Sequence, residues 1–250
     1  QAMLATINTN NSNVTIDLLK PLDISIVMSD STKNPLAWYL EKPEISPVQL
    51  GDWVGKVSQG AAVNFNNISF NPHAHGTHTE CLGHITETFH SVNDALKSFF
   101  FMAELITISP VLIQQDYVLT LAAIKQKLKG KIPKAVVIRT LPNTLSKTTR
   151  KYSNTNWPYL DHTAAAFLRD AGVQHLLIDL PSVDKEKDDG ALLAHKAFWN
   201  IPKAPRKNAT ITEFVYVNDT IKDGSYLLNL HLAPFENDAA PSRPVLYEIA

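Results

Sequence analysis

Cysteine is almost missing from this chain of 250 residues: Cys81 is the only one. No intrachain disulfide can form, which fits a reducing compartment. An excess of charge is missing as well. Lys and Arg number 23 against 24 Asp and Glu, a formal net charge of -1. Without a basic field nothing holds a phosphate backbone, so nucleic acid is excluded as an expected partner. No apolar run reaches the roughly 18 residues of a membrane span, so no membrane partner is expected. The start carries no charged segment followed by an apolar one, so no secretory signal is read and a cytoplasmic location is expected. Gln1-Ala2-Met3 reads as a tag remnant ahead of Met3. There are no internal repeats and no low-complexity tract. What is present is 44% hydrophobic residues over a length that suits one domain, here residues 3–250, with ample core.

Periodicity places the elements. Residues 14–18 and 23–27 alternate like half-buried strands, and 64–70 does so again. Three prolines in 35–50 make that stretch extended and looping. Residues 91–100 read as a short helix capped by Ser91, and 103–108 as a strand. Thr120 opens a helix that carries lysines in its last turn and stops at Gly130. Residues 135–140 and 175–180 are buried strands, and 163–171 is a helix stopped by Gly172. The polar stretch 141–157 reads as a long loop, a candidate lid or inter-subunit contact. Residues 211–249 are strand-rich, with turns expected at Asp223-Gly224 and Pro241. This is a mixed α/β domain with substantial antiparallel sheet.

Four of the nine histidines fall within residues 73–84, where an even spread would place fewer than one. Neutral imidazole is the commonest metal ligand and the usual acid/base group near neutral pH. Together with a carboxylate it suits zinc, manganese or non-haem iron. Residues two apart on a strand face one way, so His78 and Glu80 are expected to grip one ion. His73 and His75 are expected to share a face before Gly76 turns the backbone. His84, beyond Gly83, would return to the ion's open side without binding it, an arrangement suited to metal-assisted hydrolysis.

Gly76-Thr77-His78-x-Glu80-x-x-x-His84 resembles the H-x-G-T-H-x-D-x-P-x-H signature of the cyclase-like metal hydrolases, the kynurenine formamidase and isatin hydrolase superfamily. Asp179 to Asp184 resembles that family's D-x-x-S-x-D strand end. His195 and Glu213 stand where the family has its distal metal histidine and glutamate. Asp238 to Val245 resembles its closing segment. The likeness spans most of residues 14–249. It implies a swivelling β/β/α domain with a mixed, largely antiparallel sheet, usually in homodimers or homotetramers. It implies His78 and Glu80 as metal ligands and His84 as general acid/base. His195 and Glu213 would complete the site, around one or two divalent ions, zinc or manganese. Three departures mark a divergent subgroup. The signature's first histidine falls on Ala74, for which His73 or His75 must substitute, His73 being preferred. Glu80 replaces an aspartate, and Leu82 replaces a proline.

The expected activity is metal-dependent hydrolysis of a small amide, formamide, cyclic amide or lactone, arylformamidase-like and so connected with tryptophan catabolism. The alternatives are a non-catalytic ligand-binding pseudoenzyme and a cyclase or lyase on the same scaffold. Simpler roles stand beside the sharp ones. Cys81 reads as a small buried apolar residue rather than a ligand or nucleophile. Asp184 reads equally as part of a charged loop. Trp38, Trp53 and Trp199 read as core rather than as stacking surfaces for an aromatic substrate. His90, His162, His175 and His231 belong to no constellation.

Overall fold

A computed structural model describes residues 2–9 and 13–249; Gln1 and Ala250 lie outside the described residues. Its centre is a closed barrel of seven strands: β1 (His78–Glu80), β2 (Phe100–Ile108), β3 (Ala135–Thr140), β4 (His175–Ile178), β5 (Thr210–Glu213), β6 (Gly224–Leu232) and β7 (Ala239–Glu248). Their order around the barrel is β6-β2-β3-β4-β5-β1-β7, and β7 pairs back onto β6. Strands β2 to β5 run parallel. The other pairings in the ring are antiparallel, so the sheet is mixed.

The side-chain period of two divides the core. Ala103, Leu105, Val137, Leu177, Leu228 and Leu246 fill the barrel. Ile106, Ile108, Val136, Ile138, Leu176 and Ile178 point outward under helices. Those helices are α2 (Leu121–Leu128), α3 (His162–Asp170) and α4 (Leu193–Trp199). Helix α2 forms where its caps demand. Thr120 Oγ1 accepts from the Ala123 N–H at 3.3 Å, and Lys129 closes the helix in the left-handed conformation. Its Ile124 and Leu128 are the buried stripe. Helix α3 starts on Asp161, whose carboxylate accepts from Thr163 N–H at 2.7 Å. Among the described residues no helix is long and apolar enough to cross a membrane.

Several expectations are corrected. The strand expected over 23–27 contributes only Leu22–Asp23 to the sheet, because Ile24 and Ile26 are occupied by contacts to Pro244, Tyr216 and Thr77 instead of a ladder. The helix expected over 91–100 is one turn, Val92–Ala95; Ser91 does cap it, accepting from the Asn93 N–H. Residues 96–99 form no regular element, and β2 starts at Phe100. Pro241 is no turn: it sits inside β7 opposite His78. The stretch 141–157 is anchored and not loose. Lys147 is buried against Asp179 at 2.7 Å, and Tyr152 and Trp157 pack with Ala37 and Phe214. Of the tryptophans, Trp199 is core, Trp53 is 39% exposed on an outlying hairpin, and Trp38 contacts Trp157 edge-on.

Candidate metal centre

Strand β1 is short and buried on both sides. Its register puts Glu213 of β5 and Pro241 of β7 beside His78, and Ile211 and Ala239 beside Glu80. His78, Glu80 and Glu213 therefore share the outward face, the one covered by α4. Thr79 and Thr212 lie on the opposite face, joined through their hydroxyls at 2.8 Å. His78 and Glu80 thus share a face, as residues two apart on a strand do.

His73 and His75 do not share a face. They lie in a single helical turn, α1 (Pro72–His75), where residues two apart diverge by about 200°. His75 points away from the cluster. Its Nδ1 accepts from the Asn71 N–H at 2.9 Å, and its Nε2 reaches the Glu41 carbonyl at 2.8 Å. Both nitrogens are spent, and burial lowers its pKa. His73 points inward, with Nδ1 3.1 Å from Glu80 Oε2 and Nε2 3.0 Å from Asp238 Oδ2. Gly76, expected to turn the chain, is in fact extended. Its carbonyl accepts from His78 Nδ1–H at 3.0 Å, which leaves Nε2 bare. Gly83 has a steric reason: a Cβ there would collide with the backbone carbonyl of His90. The 3-10 turn Leu82–Ile85 built around it carries His84 to the cavity rim. His84 Nε2 lies 3.8 Å from Glu80 Oε2, and its ring stacks on His73 with centroids 4.2 Å apart.

His195 arrives from α4, which Asp184 caps. The Asp184 carboxylate accepts from the N–H groups of Ala194 (2.7 Å) and His195 (3.1 Å), and from His195 Nδ1–H at 2.6 Å. His195 Nε2 meets Glu80 Oε1 at 3.0 Å. Glu213 is fixed by the Val183 N–H on Oε1 at 2.8 Å, and its Oε2 lies 3.5 Å from His78 Nε2. Every site residue read from the sequence thus converges: His73, His78, Glu80, His84, His195 and Glu213. Asp184 joins them through His195. Asp238 was not read as a site residue; an aspartate ahead of a strand looks solvated, and only the β1–β7 register brings it here. Cys81 faces the other way, among Val92, Ala95 and Ala240, with burial raising its thiol to about 11.

The electrostatics are those of a dense, mutually paired cluster. Burial works against charge on Glu80, yet His84, His195 and His73 pull its carboxyl well below the usual range. Burial likewise opposes protonation of His195, and the carboxylates of Asp184 and Glu80 overcome it. For His73, Asp238 and Glu80 outweigh burial and hold the imidazolium to about 10. The hydrogen bonds of His73 and His84 hold Asp238 down.

Among the described residues five buried side-chain atoms have no hydrogen-bond partner: besides Asn71 Oδ1 and His175 Nε2 there are three that converge, His73 Nδ1, His78 Nε2 and Glu80 Oε2. Their residues offer ligand atoms all within 4.8 Å of one another. Buried polar atoms are rarely left unpaired. Two imidazole nitrogens and a carboxylate oxygen form a donor set that fits a divalent cation. The cluster floors a cavity of about 290 Å³ lined by Trp38, Leu40, Asn71, Ser182 and Leu192 together with His73, His84 and Glu213. The extended stretch that begins at residue 35 supplies the wall residues Trp38 and Leu40, whereas the candidate lid 141–157 supplies none.

The family model described as "Putative cyclase" matches residues 21–185. No curated protein matches the chain. Several solved structures do. One, described as a "predicted metal-dependent hydrolase from Bacillus stearothermophilus", is 17% identical over 91% of this chain and 98% of its own, with a TM-score of 0.63. An isatin hydrolase bound to the product analogue thioisatinate is 16% identical over 92% of this chain and 93% of its own, TM-score 0.67. Isatin hydrolase A from Labrenzia aggregata, bound to benzyl benzoate, is 13% identical over 92% and 94%, TM-score 0.66. At such identities the likeness shows a shared fold.

Proposed function

Because the chain belongs to the Cyclase family, we propose that it is a metal-dependent hydrolase cleaving the C–N or C–O bond beside a carbonyl in a small amide, formamide, cyclic amide or lactone. The observation that carries this reading is the convergence of His73 Nδ1, His78 Nε2 and Glu80 Oε2, buried and unpaired. These three atoms would hold the ion, zinc or manganese. The ion supplies Lewis acidity, polarising a carbonyl and acidifying water near neutral pH. We place one ion here, since a second at Glu80 and His195 would have to break their 3.0 Å hydrogen bond.

The chain's own groups do the rest. His84 is the most exposed of the cluster's imidazoles and stands on the cavity wall. It takes a proton from the attacking water and returns it to the leaving nitrogen or oxygen. His195, locked between Asp184 and Glu80, and Glu213, locked by the Val183 N–H, keep the carboxylate floor rigid. Trp38, Leu40 and Leu192 hold the apolar part of the substrate and keep out bulk water. A cavity of about 290 Å³ is at the small end for ligand sites, in keeping with a compact substrate such as an arylformamide or a bicyclic lactam.

The test is elemental analysis of protein purified without added metal or chelator, for wild type, His78→Ala and His84→Ala, followed by a panel of formamides, lactams and lactones. Wild type and His84→Ala should carry about one zinc or manganese per chain, and His78→Ala none. Turnover should fall about 10²–10⁴-fold in His84→Ala. A metal-free wild type that also fails to bind added ion would overturn the reading in favour of a non-catalytic binding protein.

A further inference from the structure

One carboxylate oxygen touches both His73 and His84. Asp238 Oδ2 lies 3.0 Å from His73 Nε2 and 3.4 Å from His84 Nδ1. The two rings are stacked, 4.2 Å between centroids and 27° apart in plane, so a single oxygen serves both edges. The site is built into the sheet. The Cys81 N–H donates to the Asp238 carbonyl at 2.9 Å, and Ala239 pairs with Glu80, so the β1–β7 register sets where the carboxylate stands.

We propose that Asp238 is a positioning residue that sets the tautomers of His73 and His84 together, aiming one lone pair at the metal and the other at the substrate. The proposal rests on the metal-hydrolase reading above. A neutral imidazole has one N–H and one lone pair. An acceptor at His73 Nε2 draws the proton there and leaves the lone pair on Nδ1, the atom 3.1 Å from Glu80 Oε2. The same acceptor at His84 Nδ1 leaves that lone pair on Nε2, the atom 3.8 Å from Glu80 Oε2 on the cavity side. The outcome is opposite for the two rings, Nδ1 free on one and Nε2 free on the other, as their different jobs require. Without Asp238 either ring can flip or change tautomer, and both functions suffer at once. Carboxylates behind metal-bound histidines act in this way, and their loss commonly costs about 10–100-fold in metal affinity. Here the carboxylate also stands behind the acid/base.

The experiment is zinc affinity by chelator competition for wild type, His78→Ala and Asp238→Asn, with kcat and KM on any substrate found. Asp238→Asn keeps the size of the side chain, and a thermal melt checks its fold. The expected result is about 10–100-fold weaker zinc binding in Asp238→Asn, together with a fall in kcat at saturating zinc while KM stays within about twofold. A defect confined to stability would move neither affinity nor kcat in the folded, zinc-saturated variant. Wild-type affinity and kcat in Asp238→Asn would overturn the proposal and leave the hydrolase reading intact; no zinc binding by wild type would overturn both. A second measurement needs no variant. In the zinc-loaded wild type, long-range ¹H–¹⁵N spectra should show His73 protonated at Nε2 and His84 at Nδ1 below saturation with substrate. A proton on Nε2 of neutral His84 would overturn the proposal.

Discussion

His73 and His75 stand two residues apart in one helical turn and meet opposite surroundings. His75 has a donor on Nδ1 and an acceptor on Nε2, both from the backbone. His73 has two carboxylates. The difference gives separable outcomes. His73→Ala should abolish tight metal binding with a modest effect on stability. His75→Ala should leave metal affinity within about threefold but cost on the order of 1–3 kcal/mol by orphaning two backbone groups. Metal titration and urea denaturation of both variants check this; loss of metal in His75→Ala alone would reverse the assignment. At this scale the sequence was eloquent about which residue types cluster, because four histidines and a glutamate in one window have few bland explanations. It could not say which histidine turns inward, since that depends on the helical phase of a four-residue turn. Asp238 enters the sequence reading only as the start of the closing-segment resemblance, with nothing local to mark a site role.

Loops carry as much of the site as strands do. The stretch 141–157 is polar in composition yet tied down by Lys147, whose amine donates to the Thr140 carbonyl (2.6 Å), the Thr140 hydroxyl (2.9 Å) and Asp179 Oδ2 (2.7 Å). Burial raises the Asp179 pKa in spite of the lysine, so the pair is costly to keep and costlier to break. Lys147→Met should therefore destabilise by about 3–5 kcal/mol, and adding Asp179→Leu should recover much of it. Chemical denaturation of the single and double variants decides the matter; equal stability of wild type and Lys147→Met would show that the pair does not hold the loop. Helix α4 shows the same dependence on a distant partner. No side chain of its own N-cap residue, Leu192, satisfies its first turn; Asp184 does so and holds His195 with the same carboxylate. Helix α2, with its own threonine cap and lysine-rich end, was readable beforehand because its signals lie within its own turns.

The barrel as a whole answers to pH through a residue outside the site. His175 is buried on the barrel's inner side, its Nδ1 on the Thr210 hydroxyl at 2.8 Å and its ring 4.0 Å from that of Phe101. Burial, helped by Arg206 and Lys134, holds its pKa down at about 3. In the unfolded chain it titrates near 6.5. Below pH 6.5 the unfolded state therefore takes up a proton that the barrel refuses. The stability contributed by neutral His175 is complete above that pH and declines as pH falls toward 3, by at most about 1.4 kcal/mol per unit. His175→Gln should flatten the fall in unfolding free energy between pH 6.5 and 4.5 relative to wild type; parallel curves would count against a buried neutral histidine. Taken by itself, the sequence determined the class of fold, the strong helices and buried strands, the histidine-rich window, and the resemblance that carried His195 and Glu213 into the site. Those features act through side-chain period, caps and residue type, which operate within a few residues of each other. The tertiary structure alone decided that β1 enters between β5 and β7, that β6 and β7 close the ring, that Pro241 lies within a strand, and that Asp238 stands behind two histidines. Apart from the β6–β7 pairing, which joins consecutive strands, each is a pairing between segments distant in sequence, settled by which strands win one another's backbone hydrogen bonds and which faces are then left to be buried.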